Sequence, residues 1–229
     1  MCRMIGIKRY SYEKHRDVLL ALAELASEGR VPKGAKSGHT DGWGIGYYRN
    51  GEAVLHRSAE SILNEPGALE GQMRRADGSP VVILHLRKSA WKGTTAVENS
   101  HPFLLRNRLF AHNGTIYNYR DLLDSIPDGA GLKKALDTEV FFHYLLGNCD
   151  GGDKLRDCFN RVIKTCSYSS LNCLMSDGMR LYAFREYTRE PRYYSLYHAR
   201  CGGSDLVCSE RAPAGLDWKM LGKRELLIV

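Results

Sequence analysis

The chain has 229 residues, 43% of them hydrophobic and 26% charged, with a formal net charge of +7. Length and composition are those of one large or two small globular domains with a sizeable core. No apolar run approaches the roughly 18–20 residues that a helical membrane span needs, so no membrane is expected.

Charge and cysteine usage narrow the classes further. The positive charge suits an anionic partner, but the basic residues are scattered in short pairs such as Arg74-Arg75, Lys133-Lys134 and Lys223-Arg224. A nucleic-acid footprint is a concentrated stripe, so no nucleic acid is expected. The first residues lack the basic-then-apolar pattern of a secretory signal. The seven cysteines are an odd number, and six lie between Cys149 and Cys208. A cytoplasmic protein with mostly free thiols is the simpler expectation. No spacing from C-x2-C to C-x4-C occurs, so neither a zinc site nor any other metal is expected. Neither G-x-x-x-x-G-K-[ST] nor G-x-G-x-x-G is present, and no cofactor is expected.

In chain order, Met4, Ile5 and Ile7 predict a buried strand directly behind Cys2. Val18, Leu19, Leu22 and Leu25 fall at helical spacing within 12–26. A polar, glycine-containing loop follows over 29–42. Trp43 to Tyr48 reads as a strand with alternating glycines, which let another chain segment approach the backbone closely. Asn50-Gly51 is a hairpin signal, with the returning strand over 53–57. A helix is expected over 67–75 and a continuous apolar strand over 80–87. Leu109 to His112 predicts another strand, ending at Asn113-Gly114. Helices are expected at 119–125, 138–146 and 154–165. Strands are expected at 171–175, 180–184, 193–198, 206–208 and 225–229. Helices and strands in blocks, rather than in strict βαβ alternation, indicate an α+β layered fold.

Four places carry potential chemistry. If Met1 is removed, Cys2 offers a thiol nucleophile and, on the same residue, an α-amine with a reference pKa of about 7.7–8.0 that can serve as its base. Read as structure alone, Cys2 is a small apolar residue at a chain end. Arg87, closing an apolar strand, needs a carboxylate, either a structural one or a substrate's held in bidentate fashion. Asn113-Gly114 reads as a turn, or as a side-chain amide and a backbone N–H converging on one oxyanion. Asp137 opens a helix, where Asp is a good N-cap, and its carboxylate could also receive an ammonium.

In this order, the residues resemble the class II glutamine amidotransferase domain of the N-terminal-nucleophile hydrolases. Asp41-Gly42-Trp43-Gly44 is similar to the family's D-G-W-G segment. Glu98-Asn99-Ser100-His101-Pro102-Phe103 is similar to its E-N-[ST]-H-P-F segment, and Ala111-His112-Asn113-Gly114 to its A-H-N-G segment. Ser176-Asp177-Gly178 and the ending from Trp218 to Glu225-Leu226-Leu227 resemble the compact, single-domain branch, so the resemblance covers residues 1–229 as one domain. It implies a four-layer αββα sandwich, two antiparallel sheets between helical layers. It implies a mature chain starting at Cys2, which attacks the carboxamide of glutamine or another γ-glutamyl amide to form a thioester. It implies Asn113 and Gly114 as the oxyanion hole, Arg87 on the substrate α-carboxylate and Asp137 on its α-ammonium. Any acceptor of the ammonia would be a separate synthase subunit. The relatives' Trp-Ala-Thr-His after the arginine is replaced here by Lys88-Ser89-Ala90-Trp91. The leaving group therefore stays open between ammonia and a larger amine, as in enzymes of glutathione breakdown or ergothioneine synthesis. A binding or regulatory module that has lost turnover is the alternative from another class, and a retained Met1 would favour it.

Overall fold

The computed structural model describes residues 2–31, 34, 36–127, 129–149, 152–212 and 215–229. Met1 lies outside them, and so does the question of its removal. The first strand, β1 (Arg3–Lys8), is followed by helix α1 (Tyr12–Glu28) and the hairpin β2 (Trp43–Arg49) and β3 (Glu52–Ser58). Asn50 and Gly51 take the positive φ angles, 53° and 82°, that this two-residue turn demands. Helix α2 (Pro66–Arg75) and strand β4 (Val81–Leu86) come next, then β5 (Phe103–Leu105) and β6 (Arg108–Ile116). Helices α3 (Asp137–Asn148) and α4 (Gly152–Thr165) precede β7 (Tyr168–Ser176) and β8 (Leu181–Arg185). The chain closes with β9 (Tyr197–Cys201), β10 (Ser204–Cys208), β11 (Lys219–Met220) and β12 (Glu225–Ile228).

Two antiparallel sheets result. One has the order β11-β9-β10-β1-β4-β2-β3, the other β12-β8-β7-β6-β5. Three packed layers of side chains join them into the expected sandwich. Val18, Leu19 and Leu22 of α1 and Met73 of α2 cover Ile5, Ile7, Ile45 and Leu84 on the outer face of the first sheet. Phe141, Phe142 and Leu145 of α3 and Phe159 of α4 cover Phe110, Leu171 and Phe184 of the second. Between the sheets lie Met4, Ile83, Leu109, Ala111, Leu174 and Leu181. Alternation along β1 follows from the strand period: Met4 faces the second sheet, and Ile5 and Ile7 face the helices. The alternating glycines of β2 serve close approach as expected, since a Cβ on Gly44 would stand 2.5 Å from the His101 carbonyl oxygen.

Several expectations are corrected. Asn113-Gly114 is no turn; β6 continues through both residues to Ile116, paired with Asn172 and Leu171 of β7. The strand expected over 193–198 starts only at Tyr197. Buried Tyr193 and Tyr194 precede it in a connection whose backbone carbonyls, those of Pro191 and Tyr194, receive the Arg185 guanidinium instead of a ladder partner. Residues 119–125 form a 3-10 helix. Cys149 and Cys158 form a disulfide across the α3–α4 connection; Cys2, Cys166, Cys173, Cys201 and Cys208 remain free thiols. Among the described residues, no helix is long and apolar enough to cross a membrane.

Candidate active site

Strand β1 sits in the interior of the seven-stranded sheet, between β10 and β4, and so fixes Cys2 at its leading end. Cys2 is buried, 8% exposed. Its backbone nitrogen donates to Asn113 Oδ1 at 3.2 Å. That bond fixes the amide's orientation, so Asn113 Nδ2 points elsewhere; it is buried and, among the described residues, has no hydrogen-bond partner. A buried amide donor left unmade costs about 1–3 kcal/mol. The Cys2 thiol lies against the backbone of Lys88, whose N–H donates to Sγ at 3.4 Å.

Asn113 and Gly114 lie in β6 just before a register shift between Gly114 and Ile116, the kind of bulge that re-aims backbone groups near active sites. No other residue fits at 114. A Cβ there would stand 1.9 Å from the Ser170 carbonyl oxygen.

Arg87 directly follows β4 and is 4% exposed. Its guanidinium donates to the Asp41 carbonyl at 3.3 Å, to Ser89 Oγ at 3.1 Å and to Thr94 Oγ1 at 3.0 Å. All three acceptors are neutral, and among the described residues no carboxylate pairs with it. The structural-carboxylate reading of Arg87 is thereby corrected. Asp137, 5% exposed, is the first residue of α3, and Leu136 holds the N-cap position, so Asp137 does not cap the helix. Its oxygens accept from Ile116 N at 2.9 Å and from the Trp91 indole at 3.1 Å. No cation pairs with it among the described residues. One pocket is lined by Cys2, Arg87, Trp91, Gly114 and Asp137 together with His112. Asn113 does not line it; its side chain bonds Cys2, which does.

The surrounding histidines are neutral. His112 bonds Thr138 Oγ1 at 3.1 Å and the Ser170 carbonyl at 3.0 Å. The carbonyl requires Nε2 to carry the proton, and the Thr138 hydroxyl then donates to Nδ1. Burial lowers its pKa. Burial also holds His85 and His101 well below the ordinary value, their rings 4.2 Å apart. His39 is pushed down to about 3 by burial and by the Arg3 charge. None of them is placed to compete as a charged group for an anionic substrate.

Sequence reasoning missed four contributors. Asp41, quoted only as part of a motif, accepts from Ser89 N at 2.9 Å and anchors the loop after Arg87. Ser89 and Thr94 bond each other at 2.8 Å and share Arg87. Trp91 closes on Asp137. The departure from the relatives' pattern after Arg87 marked this loop as different but did not say what it would touch. Among the described residues, no group of three or more His, Cys, Asp or Glu side chains could hold a metal ion.

Two antiparallel sheets between helical layers, with a cysteine leading an interior strand, are the architecture of the N-terminal-nucleophile hydrolases. Solved structures agree. Glutamine phosphoribosylpyrophosphate amidotransferase from B. subtilis superposes with a TM-score of 0.69 at 18% identity, over 99% of this chain and 47% of that one. A glutamine aminotransferase class-II domain protein from Silicibacter pomeroyi superposes at 0.64 and 19% identity, over 99% and 94%. In sequence, the profile of the class-II glutamine amidotransferases matches residues 1–198, and the chain belongs to that family. An uncharacterized protein of Methanocaldococcus jannaschii is 31% identical over 82% of this chain and 51% of its own length. The chain spans about half, or less, of the length of the curated relatives it matches.

Proposed function

We propose that this amidotransferase hydrolyses the γ-amide of glutamine, or of a γ-glutamyl amide, through a thioester on Cys2. The observation that carries the reading is the pair of buried, oppositely charged groups, Arg87 and Asp137, that line one pocket with Cys2 and lack counter-ions among the described residues. An α-amino acid brings the two missing charges, a carboxylate for Arg87 and an ammonium for Asp137.

With Met1 removed, the neutral Cys2 α-amine takes the thiol proton, and sulfur attacks the side-chain carboxamide carbon. The carbonyl π bond opens onto oxygen. Asn113 Nδ2 and the Gly114 N–H receive the developing oxyanion, whose stabilisation is the largest single contribution in acyl transfer of this kind. The Lys88 N–H donates to sulfur while it carries negative charge. As the tetrahedral intermediate collapses, the C–N bond breaks and the ammonium proton of Cys2 passes to the leaving nitrogen, which departs as ammonia or an amine. Water then gives its proton to the α-amine and adds to the thioester, the C–S bond breaks, and glutamate leaves with the thiol restored. Arg87 and Asp137 contact parts of the substrate that do not change, so they set affinity and specificity. Released ammonia is free for a synthase acting as a separate partner.

The test is a substrate panel of glutamine and several γ-glutamyl amides, with release of ammonia or amine measured alongside the N-terminal mass. Turnover by a chain beginning at Cys2, lost in Cys2→Ala with an unchanged circular dichroism spectrum, is expected. Full activity in Cys2→Ala, or no turnover of any member by a chain that begins at Cys2, would overturn the reading.

A further inference from the structure

Arg3 stands where an apolar residue is expected. It faces the helix-covered side of the first sheet with Ile5 and Ile7, and it is fully buried. Its Nε pairs with Glu210 Oε2 at 2.7 Å, and its Nη2 donates to the Arg30 carbonyl. The guanidinium lies over the Tyr193 ring, 4.9 Å from its centroid. Its Nη1 donates to the carbonyl of Cys2 at 3.1 Å. The mounting is rigid. Ser209 N donates to the Met4 carbonyl at 2.9 Å and Met4 N to Ser209 Oγ at 3.0 Å, which holds Glu210 alongside the strand's start.

A buried ion pair in an apolar layer is rarely worth its desolvation, and apolar residues of similar size often replace one at no loss of stability. This pair does something that an apolar pair cannot. It grips the nucleophile's own peptide group from the side away from the pocket, and it brings a permanent positive charge to within one residue of the α-amine.

We propose that Arg3 and Glu210 form a positioning pair that clamps Cys2 through its carbonyl and keeps the Cys2 α-amine in its neutral, proton-accepting form. The inference rests on the reading of Cys2 as nucleophile. A nearby positive charge disfavours protonation of an amine, and Glu210 tempers that effect. Of the charged groups around Cys2, Arg3 is the one bonded to the residue's own carbonyl. His85 of β4 and His39 ahead of β2 are buried and neutral. Burial raises the Tyr193 hydroxyl far above its ordinary value, so it is neutral too. Lys88 turns its Nζ away to the Gly38 carbonyl at 2.9 Å. Asp41 is occupied by Ser89 N, and Arg87 and Asp137 line the pocket. Arg30 meets Glu210 at 3.1 Å, so Glu210 keeps a partner when Arg3 is replaced.

The test is the titration of the α-amine in protein labelled with [15N]cysteine, followed by NMR, together with the pH profile of kcat/KM. In Arg3→Met the amine midpoint is expected to rise by about 1 pH unit. The acid limb of kcat/KM should move with it, losing about tenfold at pH 7 and recovering as the pH rises. Arg3→Lys, which keeps the charge, should keep the midpoint while kcat falls. Glu210→Gln should move the midpoint the other way. A merely structural role would lower activity evenly across pH. An amine midpoint in Arg3→Met equal to that of the unsubstituted protein would overturn the inference and leave the nucleophile in place. A mass showing Met1 retained in active protein would instead overturn the reading on which the inference rests.

Discussion

The Asn113 amide has two ends: its oxygen holds the Cys2 nitrogen, and its Nδ2, without a partner among the described residues, is the proposed oxyanion donor. Asn113→Ala should therefore lower kcat by about 100–1,000-fold, the usual cost of losing one oxyanion donor. Alkylation of the Cys2 thiol, which forms no oxyanion, should survive in the same variant. Arg87→Gln and Asp137→Asn should act differently, raising KM by about tenfold or more with a smaller change in kcat, because the groups they bind are remote from the reacting carbon. Steady-state kinetics on the preferred substrate separates the two patterns. A kcat effect confined to Arg87 would show that the guanidinium serves the transition state. At this scale the sequence was informative wherever a residue's chemistry conflicted with its surroundings. An arginine after an apolar run and a thiol behind the initiator are conspicuous for that reason. Asp41 and Trp91 gave no such signal. Their importance lies in reaching across to Ser89 and Asp137, and nothing in local sequence records a contact between segments nearly fifty residues apart.

The β6–β7 pair holds the two proposed oxyanion donors, and it tolerates no added atom at 114. Gly114→Ala would drive a methyl into the Ser170 backbone, which cannot rotate away as a side chain can. A cost of about 3 kcal/mol follows, which in a chain of this length lowers the melting temperature by roughly 6–12 °C. Calorimetry of the variant checks it, and an unchanged transition would mean that the two strands slide past each other easily. Elements with a plain period were legible beforehand. The residues of α1, the 43–58 hairpin and β4 fell where alternation and helical spacing put them. Errors came where polar demand overrode pattern. Asn113-Gly114 carries turn chemistry, yet it lies in a strand because Asn172 and Leu171 pair with it. Tyr193 and Tyr194 look like strand residues, yet the backbone there answers to Arg185. The three-residue β5 and two-residue β11 are too short for any periodicity to show.

Over the whole molecule, His15, His39, His85, His101 and His112 are all buried with lowered pKa values, burial being the first cause in each. The unfolded chain takes up their protons near pH 6.5, and the folded chain does so only further down, at about 3 for His39. Between those limits the unfolded state binds more protons, so stability is complete above pH 6.5 and is lost as pH falls. Each histidine contributes about 1.4 kcal/mol per pH unit across its window. Urea midpoints measured from pH 7.5 down to 4.5 should fall steeply, and a flat profile would mean that the histidines protonate without unfolding. Chain ends ordinarily fray, opening at almost no cost in free energy. Here the strand that begins one residue behind the proposed nucleophile is flanked on both sides, by β10 and β4. The amides of Ile5 and Ile7 should therefore exchange with deuterium only when the entire protein opens. The proposed nucleophile then has no private route to disorder, and on heating, catalysis and fold should disappear in a single transition.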